Sequence, residues 1–298
     1  MTPLVASLLG AREPAILVRV TAALGSTPRE AGAAMVVTRE TSAGTVGGGA
    51  LEKLGIERAR AMIATGEAKA TLAVPLGPRI GQCCGGHVTL ALVAVDAALI
   101  AAEEARERLL QDDRPAVLIF GAGHTGHALA RALALLPFRV SIVDTRPDAL
   151  ADLPATIEAR ALALPESAVA EARPGTAFLV MTHDHALDFL IATAALGRRD
   201  AAYVGMIGSA TKREKFRRHL RDTGAEPLID RLVLPIGGPA VRDKRPEVIA
   251  AMTAAELVLT LLGKAEEKIA TALADGTSQC NSKLIASDQP KGRHVRAS

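Results

Sequence analysis

The chain has 298 residues, which is enough for about two domains with buried cores. Its 35 Lys and Arg residues nearly balance 32 Asp and Glu residues, and only 2% of its residues are aromatic, so we expect neither nucleic acid nor a membrane as a partner. Three cysteines provide no disulfide framework, and the first ten residues show no basic signal segment, so we expect a cytoplasmic protein.

The first part of the chain predicts strands with helices between them. Alternating β-branched residues predict a strand from Ile16 to Thr21, and apolar spacing after Gly49 predicts a helix. A second helix, over 97–111, leads into a polar linker that ends at Pro115. Further strands are predicted over 34–38, 71–74 and 87–95. We therefore predict a mixed α+β domain over residues 1–113.

From Ala116 onward, strands alternate with helices. The run Ala116–Phe120 is almost wholly apolar, as in a parallel strand covered on both faces. Other strands are predicted over 140–143, 177–182 and 202–207, and helices over 124–136, 186–196, 211–222 and 245–262. This order predicts the α/β class, with a doubly wound Rossmann-type domain over 114–274. Residues 275–298 lack apolar periodicity and are predicted to be a disordered basic tail.

The strongest motif is the GAGHTG run, which directly follows a predicted strand and opens a predicted helix near His124. Gly121 would permit a tight turn, Gly123 would let a phosphate approach the backbone, and Gly126 would allow close helix packing. Asp144 ends the next strand, 18 residues after Gly126, where its carboxylate could accept ribose hydroxyl groups. The motif predicts a nucleotide-type site, or else a Rossmann-type scaffold whose crevice is empty or reused.

A second motif, GQCCGGH, combines adjacent thiols with glycines. Cys83 and Cys84 are too close in sequence to chelate one tetrahedral zinc well. Gly85 and Gly86 permit close backbone approach, and exposed N–H groups could lower the pKa of the thiol. A thiolate here would suit a soft metal or a sulfur-rich ligand, whereas the alternative is a small buried cysteine at a turn.

Two further turns in the first half are candidate anion sites. Gly47, Gly48 and Gly49 run into a helix and could form a nest of N–H groups, or could be a flexible turn. The turn before them carries Arg29, which could meet a phosphate or could be a solvated side chain at a hairpin.

Polar residues also follow a later strand of the second half. His183 and His185 could bind a metal or transfer protons, while Thr182 or Asp184 could instead cap the next helix.

The next strand is followed by Gly208 and Ser209, and then by a predicted capping box of Thr211 and Glu214. The helix that follows carries six basic residues and predicts a solvated face, or a surface for an acidic partner or a cofactor phosphate. These residues are Lys212, Arg213, Lys215, Arg217, Arg218 and Arg221.

In their order and spacing, these motifs resemble the xanthine dehydrogenase accessory family of the XdhC/CoxI type. The resemblance covers about residues 14 to 263. In the first half it is carried by Gly25–Arg29, by Gly47–Gly49 with Glu52, and by Cys84–Gly86. In the second half it is carried by Gly121–His124, Asp144–Arg146, Thr182–His185 and Tyr203–Ser209.

The resemblance implies a molybdenum cofactor chaperone and not an enzyme. Such a protein binds the molybdopterin form of the cofactor as cargo, protects it, supports its sulfuration by a cysteine desulfurase and delivers it to the molybdenum subunit of apo xanthine dehydrogenase. The resemblance also implies contacts with molybdenum cofactor biosynthesis proteins, and we expect a homodimer. By the resemblance, Cys84 is the family cysteine and would contact the molybdenum. The segment 235–247 departs from the family pattern, so no role is assigned to it.

Two other functions are compatible with parts of the sequence. Gly121, Gly123, Gly126 and Asp144 by themselves would fit an NAD(P)-dependent oxidoreductase, although the sequence offers no convincing acid–base pair beside them. The basic helix from Lys212 would fit an adaptor whose binding falls steeply with salt.

Overall fold

The computed structural model describes residues 10, 13–77, 85–238 and 243–263. The chain divides into two compact units between Asp113 and Arg114, which is where the polar linker predicted a boundary. The predicted tail over 275–298 lies outside the described residues. Within the described ranges, no helix has the length and apolar character that crossing a lipid bilayer requires.

The first unit is built on a five-stranded antiparallel sheet in the order β3-β2-β1-β5-β4. The strands are β1 (Ile16–Leu24), β2 (Ala34–Val37), β3 (Ser42–Gly44), β4 (Lys69–Pro75) and β5 (His87–Ala94). Helix α1 (Gly49–Thr65) lies between β3 and β4, and helix α2 (Ala97–Asp112) follows β5.

The sheet buries one continuous apolar face against helix α1. Strand β5 alternates between buried and half-buried residues over most of its length, and β4 alternates between exposed and more buried ones, as the strand period of two requires. Val18, Met35 and Leu90 are fully buried in the resulting core, where they join Leu51 and Met62 of α1. The first unit is therefore a mixed α+β structure, as predicted.

The second unit is built on a six-stranded parallel sheet in the order β11-β10-β9-β6-β7-β8. The strands are β6 (Ala116–Phe120), β7 (Arg139–Asp144), β8 (Glu158–Ala161), β9 (Ala177–Val180), β10 (Tyr203–Met206) and β11 (Leu232–Val233). The helices are α3 (His124–Leu133), α4 (Ser167–Glu171), α5 (His185–Gly197), α6 (Ala210–Asp222) and α7 (Pro246–Leu257).

Helices cover both faces of this sheet, so the strands are apolar on both sides. One core joins α3 and α7 through Leu129 and Leu257, and the other joins α5 and α6 through Ile191 and Phe216. The strand order reverses between β6 and β9, which creates a topological switch point at their carboxyl ends. The doubly wound Rossmann-type fold is thus confirmed.

Several predicted boundaries were wrong, each for a local reason. The Thr211–Glu214 capping box does not form, because α6 begins at Ala210 and Glu214 pairs with Arg217 at 2.7 Å. The predicted helix over 245–262 is α-helical only to Leu257 and continues as a π-helical turn over Val258–Leu262. The sequence analysis missed β3, β8, α4 and β11, which have five residues or fewer and carry no clear apolar period.

Candidate functional site

A cavity of about 880 Å³ opens at the switch point, and we call it the crevice. It lies where the carboxyl ends of parallel strands usually receive ligands. Four segments of the second unit contribute most of its lining: the glycine motif with the start of α3, part of 146–152, the residues after β9, and the start of α7. The lining includes Gly121–Ala128, Arg131, Arg146, Asp148, Asp152, Met181–His183, Ile207, Pro246 and Glu247.

The three motif glycines have different surroundings, and those of Gly121 and Gly126 fit the turn and the close packing that the sequence predicted. Gly121 has φ +107°, and a Cβ atom there would collide with the backbone oxygen of Met181. A Cβ atom on Gly126 would collide with the oxygen of Gly121, so only glycine allows α3 to pack this closely. By contrast, a Cβ atom on Gly123 would meet no described heavy atom within 4 Å. The space beside Gly123 can therefore admit a ligand group.

The amino end of α3 faces this space. Gly123 is the N-cap residue, and in the described part of the chain no side chain caps the helix. His124 is exposed, and the backbone N–H of His127 is the one that returns to the oxygen of Gly123, at 2.9 Å. The preceding N–H groups and the helix dipole favour an anion at this position.

Asp144, at the end of β7, is hydrogen-bonded to the glycine motif and to Arg146, two residues further along the chain. Its Oδ2 atom accepts hydrogen bonds from the Ala122 N–H at 2.7 Å and the Arg146 guanidinium at 3.0 Å. Its Oδ1 atom accepts from the backbone N–H and Nε of Arg146 at 2.9 and 3.0 Å. Burial raises the pKa of this carboxyl, but the hydrogen bonds from Arg146 and Ala122 outweigh it and lower the pKa to about 2. Asp144 is thus an anion that the protein already neutralises.

Of the residues after β9, one caps the next helix and another lines the crevice. The Asp184 carboxylate accepts the N–H groups of Ala186 and Leu187, so Asp184 caps α5, which is the structural alternative for this residue. His183 is exposed and lines the crevice, whereas His185 opens α5 and is exposed. Among the described residues, no group of three His, Cys, Asp or Glu side chains is arranged to hold a metal ion.

A buried ion pair below the crevice was missed by the sequence analysis. Lys212 Nζ contacts Asp188 Oδ2 at 2.5 Å and donates to the oxygen of Ile207 at 2.9 Å. Asp188 Oδ1 accepts the N–H and the hydroxyl of Thr182 at 2.9 and 2.7 Å. The pair therefore connects the loop after β9 with the loop after β10. One signal was available in the sequence, namely a single Asp within the apolar stretch of α5.

Helix α6 is only in part the solvated basic face that its composition predicted, because Lys215, Arg218 and Arg221 are exposed whereas Lys212 and Arg213 are used inside the unit. Lys212 is buried, and Arg213 donates to the backbone oxygens of Leu232 and Ile229 at 2.9 and 3.2 Å. The other basic residues of this helix include two with partners on neighbouring acids, Arg217 with Glu214 and Arg221 with Glu226, each at 2.7 Å. Since most of this charge is used inside the second unit, the helix gives no support to a nucleic-acid adaptor.

Gly208 and Ser209 follow β10 and lie beside this ion pair. A Cβ atom on Gly208 would lie 2.6 Å from Cδ of Lys212, so the glycine makes room for the buried lysine. Ser209 is the N-cap residue of α6, but its side chain makes no capping bond to the described part of that helix. Both residues therefore contribute to the shape of this loop.

The glycine motifs of the first unit converge at one end of its sheet. Ser26 pairs with Gly85 in an isolated bridge, and a Cβ atom on Gly86 would collide with the oxygen of Ser26. A Cβ atom on Gly47 would lie 2.7 Å from Cγ of Pro28. The fold thus brings Gly85 and Gly86 next to the turn at Ser26, and Gly47 next to Pro28 of the same turn.

The predicted anion nest at Gly47–Gly49 already contains a carboxylate of the protein. Glu52 Oε2 accepts the Thr45 hydroxyl at 2.6 Å and the Gly48 N–H at 3.2 Å, and the Gly47 N–H donates to the Thr45 hydroxyl at 3.1 Å. A negatively charged ligand would have to displace Glu52. This geometry favours the alternative, a structural turn before α1.

The cysteine motif is described only in part. Cys83 and Cys84 lie outside the described residues, so the predicted thiolate and its contact with a metal stay predictions. Gly85 is exposed with φ +60°, and Arg29 is an exposed side chain of the neighbouring turn.

Comparison with known proteins places both units in one family. Residues 8–74 match the model of the XdhC and CoxI family, and residues 117–257 match the model of the XdhC Rossmann domain. The chain is 27% identical over 259 residues to an uncharacterized protein of Escherichia coli K12, YqeB. That match covers 82% of this chain but 43% of YqeB, so the chain spans less than half the length of this relative.

A solved structure supports the same fold. A crystal structure described as a xanthine dehydrogenase from Bacillus halodurans superposes with a TM-score of 0.71 at 19% identity and covers 87% of this chain and 95% of that one. The family resemblance drawn from the motifs is therefore confirmed: the chain belongs to the XdhC and CoxI family.

Proposed function

We propose that this protein is an accessory factor that binds the molybdenum cofactor and delivers it to xanthine dehydrogenase. The observation that carries the proposal is the family match in both units, over residues 8–74 and 117–257. Membership in this accessory family suggests a part in xanthine dehydrogenase maturation. Protection of the cofactor, support of its sulfuration and its insertion are the finer steps that we assign to this chain.

The crevice of the second unit supports the proposal because it can hold the charged end of such a cargo. Molybdopterin ends in a phosphate, and the uncapped first turn of α3 offers N–H donors and a positive dipole to an anion. Gly123 leaves room for that group beside the backbone. We therefore assign phosphate binding to Gly121–Gly126.

The proposed partners follow from the same assignment. We expect the molybdenum subunit of apo xanthine dehydrogenase, a cysteine desulfurase, the enzymes that supply the cofactor, and a second copy of this chain as partners, in the cytoplasm. Delivery of the cargo requires that it be released, so we expect the protein to hold it by reversible, non-covalent contacts.

The geometry argues against one form of the nicotinamide-dependent alternative, namely an NAD-type ligand whose ribose hydroxyl groups are free. An NAD-type ligand would need the Asp144 carboxylate for its ribose hydroxyl groups. Both oxygens of Asp144 are already engaged by Ala122 and Arg146. The carboxylate that an NAD-dependent dehydrogenase would use to bind the ribose is therefore already hydrogen-bonded within the protein.

Cofactor retention by the full chain under anaerobic conditions tests the proposal. After gel filtration, molybdenum and pterin should co-elute with the protein in roughly equal amounts, and a chain that retains neither would refute the proposal. Transfer is then measured as the activity that appears when the loaded protein is mixed with apo xanthine dehydrogenase.

A pair of glycine substitutions locates the phosphate. Gly123→Val should abolish retention because the new side chain fills the space at α3, while its N-cap position costs only about 1 kcal/mol of stability. Gly197→Val is the matched control, since that glycine also meets no described heavy atom within 4 Å but lies at the far end of α5. Full retention by Gly123→Val would place the phosphate elsewhere.

A further inference from the structure

The end of β7 carries a carboxylate and a guanidinium that are locked together at the wall of the crevice. The side chain of Asp144 is 4% exposed, whereas that of Arg146 is 51% exposed. Arg146 lines the crevice itself, and Asp144 lines a much smaller adjoining cavity of about 10 Å³. Arg146 is thus the member of the pair that a ligand in the crevice can reach.

Asp144 has no acceptor capacity left for a ligand. A carboxylate offers about four lone-pair sites, and four hydrogen bonds from Ala122 and Arg146 occupy them. A ribose with free hydroxyl groups at this position would have to displace Arg146 from a charge-assisted, bidentate pair. An aspartate at the end of this strand usually accepts hydrogen bonds from ribose hydroxyl groups, and this crevice therefore disfavours a ligand that depends on those bonds.

Arg146 is, in contrast, prepared to receive an anion. Its Nε and one terminal nitrogen bind Asp144, so its plane is fixed, while its other terminal nitrogen donates to no group in the described part of the chain and can offer its N–H groups to a ligand. When a phosphate lies at the amino end of the motif helix, the sugar of a nucleotide extends toward the end of the second strand, where Arg146 lies. A guanidinium held in this way loses little conformational entropy on binding.

We propose that Arg146 is a specificity-determining residue of the crevice, and that it selects ligands with a second phosphate on the sugar hydroxyl nearest β7. The chemical class is a sugar-phosphorylated nucleotide, which carries one phosphate for α3 and one for Arg146. This inference goes beyond the proposed cargo, because it concerns which nucleotides the crevice accepts. Asp148 and Asp152 also line the crevice, and their carboxylates oppose an anion there, so the attraction for the second phosphate must come from Arg146.

Two adenosine probes measure this selectivity. Calorimetric titration of the full chain at fixed salt compares adenosine 2′,5′-bisphosphate with adenosine 5′-monophosphate, which differ only in the second phosphate. The bisphosphate should bind at least about tenfold more tightly. Equal affinities, or the absence of binding by either probe at millimolar concentration, would overturn the inference.

Three variants assign the selectivity to Arg146. Arg146→Ala should reduce the affinity ratio to about 1, and Arg146→Lys, which keeps the charge but loses the bidentate geometry, should give an intermediate ratio. Arg221→Ala is the matched control and should leave the ratio unchanged, because Arg221 is a similarly exposed arginine that pairs with Glu226 at 2.7 Å but is not among the residues that line the crevice. An unchanged ratio in folded Arg146→Ala and Arg146→Lys would overturn the inference. The ratio is independent of molybdenum retention, so the failure of either proposal is recognised separately.

Discussion

The buried pair of Lys212 and Asp188 should be among the most sensitive positions in the second unit. The Asp188 side chain is fully buried and that of Lys212 is 10% exposed. Lys212→Met removes the cation while keeping a chain of similar length. It leaves the Asp188 carboxylate with its two hydrogen bonds from Thr182 alone, and it leaves the Ile207 oxygen without its lysine donor. Loss of one partner of a buried ion pair costs about 3–5 kcal/mol.

Removing both charges should lower the unfolding free energy by much less than the sum of the losses from the two single substitutions. In the double variant Asp188→Asn with Lys212→Met, no unpaired charge is buried, and the introduced amide oxygen could still accept from Thr182. We expect a coupling free energy between the two sites of about 1–3 kcal/mol in favour of the double variant. Lys215→Met is the control, because Lys215 is a more exposed residue of the same helix and should change stability by less than about 0.5 kcal/mol.

Urea unfolding followed by tyrosine fluorescence measures these free energies for the second unit. The chain has no tryptophan, and Tyr203, its single tyrosine, is buried in β10, so the signal reports this unit alone. The reasoning would be refuted if Lys212→Met lowered the unfolding free energy by less than about 1 kcal/mol. Strict additivity of the two substitutions would refute it as well.

Three other predictions use the same assay or circular dichroism. Gly121→Ala and Gly126→Ala should each lower the unfolding free energy by more than about 2 kcal/mol, because both new Cβ atoms meet backbone oxygens; a loss under about 0.5 kcal/mol would contradict the packing. The pKa of Asp144 is lowered from 3.8 to about 2 in the folded state, so its ionised carboxylate stabilises the fold above about pH 4, and this stabilisation is lost as the pH falls toward 2. The unfolding free energy should therefore fall by about 1 kcal/mol between about pH 6 and pH 3. Asp144→Asn should remove this part of the pH dependence. Glu52→Ala should cost about 1–2 kcal/mol in thermal unfolding by leaving Gly48 without its acceptor, and should leave nucleotide binding in the crevice unchanged.

Much of the fold was accessible from local patterns. Strand β6 has the predicted bounds because five consecutive apolar residues are followed by a glycine that ends the strand. The helices that begin at Gly49 and His124 start where the glycine motifs predicted them, because glycine tolerates the turn that precedes each helix. Elements without such a pattern were missed, and β8, with the sequence EARA, is an edge strand that only pairing with β7 defines.

The candidate site was predictable in its glycines but not in its charges. Gly121 and Gly126 have their roles because the chain must bend and pack within six residues, which is a local requirement. Whether Asp144 would face a ligand or its neighbours depended on where the Ala122 N–H and the Arg146 side chain lie. The composition of α6 similarly suggested a basic surface, but β11 and α5 supply partners for Arg213 and Lys212.

The sequence by itself determined the division into an α+β unit and a doubly wound unit, because strand and helix periods are properties of neighbouring residues. It also determined the glycine turn at β6. Only the tertiary structure decided that Asp144 is neutralised by Arg146, that Lys212 reaches Asp188, and that Glu52 fills the turn at Gly48. The contact of Lys212 with Asp188 depends on which helices meet in space, whereas the two short-range contacts depend on backbone and side-chain conformations that the residue types alone do not fix. The free energy of a buried charge is set by the groups around it and not by its own residue type.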